Sequence, residues 1–225
     1  MRLSVIIPVY NERSTIKELL ERVARAPFEK EIVVVDDCST DGTREMLAEV
    51  APSEARVVYH ARNQGKGAAI RTGLAHASGD YVIIQDADLE YDPEEIPRLL
   101  EPVLSGQATT VYGSRFLGKM RRMTFGQWVG NRFLTLATNV LYGTGLTDME
   151  TCYKLMPADV VKSLKLRARR FDFEPEVTAK LLKRGQRILE LPIAYSARTE
   201  SEGKKISWRD GLPALWTLLK YRFVD

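Results

Sequence analysis

The sequence contains 225 residues, of which 44% are hydrophobic and 28% are charged, a balance typical of a globular chain that can bury a large core. Its 33 basic and 30 acidic residues leave a net charge of +3, which is too close to neutrality to favour a nucleic acid as the partner. Cys38 and Cys152 stand far apart, which excludes a disulfide framework and the paired-cysteine spacing of a zinc site.

Strands and helices alternate through the first half of the chain. Apolar runs predict the strands, and capping residues and helical patterns predict the helices. In chain order we predict a strand at 3–9, a helix capped by Ser14 and ending near 26, a strand at 31–36, a helix at 43–50, a strand at 56–60, a helix at 67–77, a strand at 81–85, a helix at 93–104 and a strand at 109–112. This order predicts a doubly wound α/β fold with a mostly parallel sheet flanked by helices, and ligands bind such sheets beyond the carboxyl ends of the strands.

The second half is less regular. We predict a helix at 125–141, a strand at 149–157, a helix at 174–184, a strand at 187–193, a polar loop at 197–205 and an amphipathic C-terminal helix at 208–223. No linker interrupts the chain, so residues 1–225 are expected to form one domain. No stretch reaches the roughly 18 apolar residues that span a bilayer, and the N-terminal apolar run is expected to be a strand and not a signal peptide.

The sequence Gln85-Asp86-Ala87-Asp88 closes the fourth predicted strand. Two carboxylates two residues apart at a strand end are well placed to hold one divalent cation, and oxygen ligands suit Mg²⁺ or Mn²⁺. Such a cation can bridge a diphosphate and neutralise charge on a departing nucleotide. We therefore predict Asp86 and Asp88 as the metal ligands.

Several motifs together resemble glycosyltransferase family 2. PVYNE at 8–12, VVVDDCSTDGT at 33–43, NQGKGAAIRTG at 63–73 and QDADLEYDP at 85–93 have that family's order and spacing. GSRF at 113–116, DMETCYK at 148–154, FDFEPE at 171–176 and EGKK at 202–205 look like the dolichol- and polyprenyl-phosphate sugar transferases. The resemblance implies a fold of the GT-A type, with a nucleotide-sugar-binding half at 1–115, an acceptor-binding half at 116–206 and a C-terminal helix at 207–225.

The resemblance also implies roles in donor binding. Tyr10 would lie against the base, Glu12 would hold the ribose side, and Asp37 would accept a hydrogen bond from the base. The motif residues Pro8 and Ala87 would line the substrate site. Lys66, which precedes a predicted helix in a glycine-flanked loop, can meet a phosphate together with nearby amides.

The acceptor side involves basic and acidic residues of the second half. By resemblance Arg115 and Arg132 would hold the phosphate of a lipid acceptor, for which arginine is suited by its bidentate geometry. Asp148 and Glu150 would act as general base towards a hydroxyl acceptor, or would orient the sugar if the acceptor is a phosphate, which needs little help to attack. Lys154 would then pair with phosphate or with these acids.

The polar loop contains Arg198 and Lys204, which by resemblance would close over the donor diphosphate as a lid. The C-terminal helix, with an apolar stripe and two cations at its end, can lie on a membrane surface or pack against the domain. Membrane association would then be peripheral, on the cytoplasmic face, or through a membrane protein partner. His60 and His76 show no partner constellation and are expected to be structural.

The sequence thus predicts an inverting, metal-dependent transfer from a nucleoside diphosphate sugar, UDP-glucose or GDP-mannose, to an acceptor, with a polyprenyl phosphate favoured over a saccharide or lipid hydroxyl. Two alternatives stay open. A nucleotidyltransferase would release pyrophosphate, but PVYNE lacks the glycine-rich loop of that class. A non-catalytic scaffold that binds nucleotide sugars for a membrane partner would keep the motifs without turnover.

Overall fold

The computed structural model describes residues 1–53, 55–198 and 211–224. Nine strands are present in these ranges: β1 (Leu3–Val9), β2 (Lys30–Asp36), β3 (Arg56–Tyr59), β4 (Tyr81–Ile84), β5 (Thr110–Ser114), β6 (Met120–Arg121), β7 (Lys154–Pro157), β8 (Ile188–Pro192) and β9 (Tyr195–Ser196). Eight α-helices accompany them: α1 (Ile16–Arg25), α2 (Thr43–Val50), α3 (Lys66–His76), α4 (Ile96–Leu104), α5 (Phe125–Tyr142), α6 (Ala158–Ser163), α7 (Phe173–Lys183) and α8 (Gly211–Phe223).

Seven strands form one sheet in the order β3-β2-β1-β4-β7-β5-β8. All neighbours pair in parallel except β7, which runs antiparallel to both β4 and β5. The mostly parallel sheet flanked by helices that the sequence predicts is therefore confirmed. The predicted strand at 149–157 is shorter than expected, because residues 149–153 form a loop and only Lys154–Pro157 pair.

Both faces of the central strands are covered, as their continuous apolar runs predict. Val33 and Val35 of β2 pack with Ala69 of α3, whereas Val34 belongs to the main core with β1, β4 and α1. The first helix begins at Ile16, with Thr15 at its N-cap and no side-chain cap, so the predicted capping role of Ser14 is wrong.

The helices α5, α7 and α8 enclose a second, smaller core. It contains Leu134, Met149, Ala179, Ala214 and Leu218. In addition, the hydroxyl of Tyr142 donates to the carbonyl of Leu218 at 2.7 Å, which ties α5 to α8. None of the helices in the described ranges is long and apolar enough to cross a bilayer.

Candidate functional site

A cavity of about 760 Å³ lies beyond the carboxyl ends of β1, β2, β4 and β5, which is within the range of about 300–1,000 Å³ found for small-ligand sites. Most of the predicted site residues line it: Pro8, Tyr10, Glu12, Asp37, Lys66, Asp86, Ala87, Asp88, Arg115, Glu150 and Arg198. Asp148, Lys154 and Arg132 do not belong to its lining, and Lys204 lies outside the described residues.

Acidic side chains outnumber basic ones in the lining. Within the described residues the seven acids are Glu12, Asp37, Asp86, Asp88, Glu90, Glu150 and Glu174, and the four bases are Lys66, Arg115, Arg170 and Arg198. Such an excess of negative charge attracts cations and repels a bare diphosphate.

The two predicted metal ligands follow the carboxyl end of β4. Asp86 forms an ion pair of 2.9 Å with Lys66, and Asp88 accepts from Arg198 at 3.2 Å. Burial, together with the nearby charges of Asp86 and Glu90, raises the pKa of Asp88 to about 7, although Arg198 opposes the shift. The carboxylates are thus crowded, and a divalent cation would relieve their repulsion.

This donor set fits Mg²⁺ or Mn²⁺. Carboxylate oxygens suit both cations, and Mg²⁺ is usually held by one or two carboxylates together with substrate phosphates and waters. No group of three metal-ligating side chains occurs in the part of the chain that the structure describes. A cation at Asp86 and Asp88 would therefore take its remaining ligands from phosphate oxygens and water.

Arg198, which follows β9, contacts Glu12 in the motif after β1. Its guanidinium donates to the two carboxylate oxygens of Glu12 at 2.9 and 3.1 Å. Its backbone N–H donates to Glu90 at 2.7 Å, and the hydroxyl of Tyr195 donates to the other oxygen of Glu90, also at 2.7 Å. Arg198 therefore links Glu12 to Glu90 and Asp88 across the cavity, and Glu90 is an anchor that the sequence analysis missed. The rest of the predicted lid, from residue 199 to 205, lies outside the described residues.

Asp37 fixes the loop before α3. Its carboxylate accepts from the backbone N–H groups of Gln64 and Gly65 at 2.9 and 2.7 Å and lies 2.7 Å from Nδ1 of His60. The other ring nitrogen of His60 lies 2.9 Å from the hydroxyl of Thr72. The expectation that His60 lacks a partner constellation is wrong, because the histidine bridges two elements and orients Asp37.

The amides that follow Lys66 are not available for a phosphate. The N–H groups of Gly67 and Ala68 donate to the carbonyls of Arg170 and Arg169, both at 3.1 Å. The ammonium of Lys66 pairs with Glu174 at 3.0 Å as well as with Asp86. Lys66 therefore links Asp86, after β4, to Glu174 of α7, and the predicted phosphate contact through the helix amides is corrected.

Arg115 and Asp148 form a buried ion pair beside the cavity. Nε and one terminal nitrogen of Arg115 donate to the two oxygens of Asp148 at 2.7 and 2.8 Å, and the backbone N–H of Arg115 donates to the same carboxylate at 2.9 Å. Arg115 also donates to Asn131 of α5 at 3.0 Å. Glu190 of β8 accepts from the N–H groups of Thr147 and Asp148, which fixes this loop in turn.

The geometry does not fit Asp148 as a general base, because its side chain is fully buried and both of its oxygens are engaged by Arg115. Nor does it place Lys154 near a ligand, since the ammonium donates to the carbonyls of Met149 and Thr151 beneath the site. Arg132 is exposed on α5, with its guanidinium 5.4 Å from the ring centre of Phe116. Neither Asp148 nor Lys154 belongs to the substrate-contacting set.

Glu150 differs from Asp148 and Lys154 because it lines the cavity. Burial and the charge of Glu174 raise its pKa to about 8, with Lys154 and Arg115 opposing the shift. One of its carboxylate oxygens is buried and has no hydrogen-bond partner in the described structure. A neutral Glu150 can both donate to and accept from a hydroxyl group, as a sugar-binding residue does.

Known proteins resemble this chain along most of its length. The family model described as glycosyl transferase family 2 matches residues 4–164. The low-salt glycan biosynthesis hexosyltransferase Agl6 of Haloferax volcanii is 32% identical over 99% of this chain, and the undecaprenyl-phosphate mannosyltransferase of Micrococcus luteus is also 32% identical over 99%. The chain spans 53% of the Haloferax protein but 99% of the Micrococcus one. The dolichol-phosphate mannosyltransferase of Pyrococcus furiosus, of which the chain spans 59%, is 30% identical over 91% of the chain.

The fold has close counterparts among solved structures. Glucosyl-3-phosphoglycerate synthase of Mycobacterium tuberculosis, in complex with phosphoglyceric acid, superposes with a TM-score of 0.75 at 23% identity, covering 99% of this chain and 80% of that one. Its complex with Mn²⁺, uridine diphosphate and glucosyl-3-phosphoglycerate gives a TM-score of 0.74, with the same coverage. These structures share the fold, and the sequence matches show the family. The chain therefore belongs to glycosyl transferase family 2.

Proposed function

We propose that the protein transfers a hexosyl group from a nucleoside diphosphate sugar to a polyprenyl phosphate at a membrane surface. One observation carries the proposal: a single cavity joins the paired carboxylates after β4 to the buried arginine after β5, so a donor site and an acceptor site would adjoin there. Relatives named as transferases of undecaprenyl phosphate and dolichol phosphate match most of the chain.

The donor would occupy the side of the cavity formed by the ends of β1, β2 and β4. Tyr10, Glu12 and Asp37 would surround the nucleoside, as family resemblance implies, with Asp86 and Asp88 holding Mg²⁺ or Mn²⁺. When bound, the cation supplies positive charge that stabilises the departing diphosphate. UDP-glucose and GDP-mannose are the first donors to test.

The reaction needs no general base if the acceptor is a phosphate. An oxygen of the acceptor phosphate forms a bond to the anomeric carbon as the bond from that carbon to the diphosphate breaks, so the nucleoside diphosphate leaves with the electron pair and the configuration inverts. Asp148 then serves to hold Arg115 in place, and Arg115 orients the acceptor. Glu150 would bind a sugar hydroxyl and orient the ring for in-line attack.

The acceptor would reach the cavity from an apolar surface formed by α5 and α8. Helix α8 buries Ala214, Leu218 and Tyr221 but leaves apolar side chains on its other face in contact with solvent, with Trp216 67% exposed. Further apolar side chains of both helices are exposed. They are Phe125, Phe133, Leu136 and Val140 on α5, and Leu212, Leu219 and Phe223 on α8. The cavity is lined by both helices.

An exposed apolar surface of this extent suits the interface of a bilayer, where tryptophan and basic residues anchor amphipathic helices. Lys220 and Arg222 of α8 and Arg121 and Arg122 ahead of α5 supply the basic residues. We therefore propose peripheral attachment to the cytoplasmic face. Co-sedimentation with phosphatidylglycerol vesicles tests it: replacing Trp216 and Phe133 by serine should release the protein, and wild-type protein that stays unbound would contradict it.

Product analysis tests the transfer itself. Purified protein, Mn²⁺, UDP-glucose or GDP-mannose and undecaprenyl phosphate should yield a glycosyl phosphate lipid and free nucleoside diphosphate. Asp88→Ala should reduce turnover by at least about 100-fold, on the scale of losing a positioned electrostatic group, whereas Glu49→Gln on the exposed face of α2 should not. Release of pyrophosphate would identify a nucleotidyltransferase, and donor binding without turnover on lipid phosphates or saccharides would identify a scaffold.

A further inference from the structure

The cavity contains one cation that differs from the others. Among the bases that line it in the described ranges, Lys66, Arg115 and Arg198 each form ion pairs with carboxylates. The side chain of Arg170 forms none with any described residue and is exposed at the cavity. Three cations are therefore neutralised before a ligand arrives, and a fourth, Arg170, is not.

The backbone beneath Arg170 is held firmly. Its carbonyl accepts from the N–H of Gly67, and the carbonyl of Arg169 accepts from Ala68. A Cβ atom at Gly65 would lie 2.3 Å from the carbonyl oxygen of Arg169, so the close approach of the two segments depends on glycine. The base of the side chain is thus fixed, while its guanidinium stays free to meet a ligand.

The place where the Arg170 side chain leaves the backbone indicates which part of a ligand it can reach. The side chain leaves the backbone against Gly65, with Cγ 3.1 Å from the position of a Cβ there, and Gly65 itself donates to Asp37. This is the proposed nucleotide side of the cavity, on which Lys66 is already paired with Asp86 and Glu174. The acceptor side has its own arginine in Arg115.

We propose that Arg170 binds the diphosphate oxygens of the nucleotide donor and is a substrate-binding residue from the acceptor half of the chain. The inference rests on the proposed function. An arginine whose planar guanidinium has no carboxylate partner can form bidentate, charge-assisted hydrogen bonds to phosphate oxygens. The bound donor would then contact residues from both the first and the second half of the chain, the latter through Arg170.

Binding of UDP and of GDP, each with Mg²⁺, to the whole protein tests the proposal by calorimetry. Arg170→Ala should raise the Kd of the preferred nucleotide by about tenfold or more, the scale of a lost charge-assisted hydrogen bond, and Arg170→Lys should recover part of it. Arg169→Ala removes an adjacent exposed arginine that does not line the cavity, and it should change the Kd by less than about twofold.

The outcomes separate this inference from the proposed function. If wild-type protein binds neither nucleotide, the proposed function and the role of Arg170 both fail. If wild-type protein binds one and Arg170→Ala binds it equally well, only the role of Arg170 is overturned. The same holds if Arg170→Ala leaves nucleotide affinity unchanged but raises the KM for undecaprenyl phosphate, since the arginine would then serve the acceptor.

Discussion

Replacing Asp148 by asparagine distinguishes a structural anchor from a general base. Asp148 is fully buried, and its two oxygens accept three hydrogen bonds from Arg115, whose exposure is 6%. In Asp148→Asn the amide nitrogen would face the donors of Arg115, and the guanidinium would keep its charge without a buried partner. The substitution therefore removes charge compensation while it preserves the size of the side chain.

The expected loss of stability follows from this burial. Removing one member of a buried ion pair costs about 3–5 kcal/mol. In proteins of about 150–250 residues, each kcal/mol shifts Tm by about 2–4 °C. We expect Asp148→Asn to melt about 6–20 °C below the wild type. The exposed pair of Arg22 and Glu18 on α1 provides the control, since Glu18→Gln should lower Tm by no more than about 2 °C.

Two measurements distinguish the structural role of Asp148 from that of a base. They are thermal unfolding followed by circular dichroism, and turnover at a temperature where the variant is folded. Replacing both partners, as in Arg115→Met with Asp148→Leu, should restore much of the lost stability, because no unpaired charge is then buried. Loss of a general base would instead lower turnover without a comparable loss of stability. If Asp148→Asn melts within about 2 °C of the wild type and turnover still falls by 100-fold or more, the structural role assigned to Asp148 is refuted.

Two further substitutions test other parts of the structure. Gly67→Ala places a methyl group 2.8 Å from the carbonyl oxygen of Ala168 and should lower the free energy of unfolding, measured in urea, by about 1–3 kcal/mol. Gly145→Ala is the control, because a Cβ atom at Gly145 would have no atom beyond those of its chain neighbours within 4 Å, and it should not lower this free energy. Equal effects of the two substitutions would contradict the packing argument. Burial raises the pKa of Glu31, but hydrogen bonds from serine hydroxyls and backbone amides lower it to about 2. Since the folded pKa lies below the unfolded one, the stability that Glu31→Gln removes should be full above pH 4.5 and disappear as the pH falls towards 2; a difference in urea stability that stays constant with pH would contradict this.

The first half of the fold could be predicted because its signals are local. β1, β2 and β4 each contain a continuous apolar run. The acids that follow β2 and β4 mark the edge where ligands bind in sheets of this kind. The antiparallel β7 could not be foreseen in the same way. Its four residues resemble any short apolar segment, and their place between β4 and β5 depends on pairing with strands distant in sequence.

Charged residues of the second half were harder to interpret for a related reason. Lys154 stands in a family motif, but whether its ammonium faces the cavity or the carbonyls of Met149 and Thr151 depends on the path of the loop. Arg170 gave no signal at all within its basic stretch. Its importance arises from the ion pairs that the other three cations form, and those pairs join residues far apart, such as Lys66 and Glu174.

The charge of the cavity also constrains the order in which ligands act. Seven acids and four bases line it in the described ranges, so a nucleoside diphosphate that enters alone adds negative charge to an already negative surface. A divalent cation held by Asp86 and Asp88 would offset most of this excess, and the donor phosphates could supply ligands that two carboxylates leave open. Because such coupling is reciprocal, the factor by which Mn²⁺ lowers the Kd of UDP should equal the factor by which UDP lowers the Kd of Mn²⁺. Independent titrations measure both factors, and a donor that binds equally well without the cation would contradict the metal site.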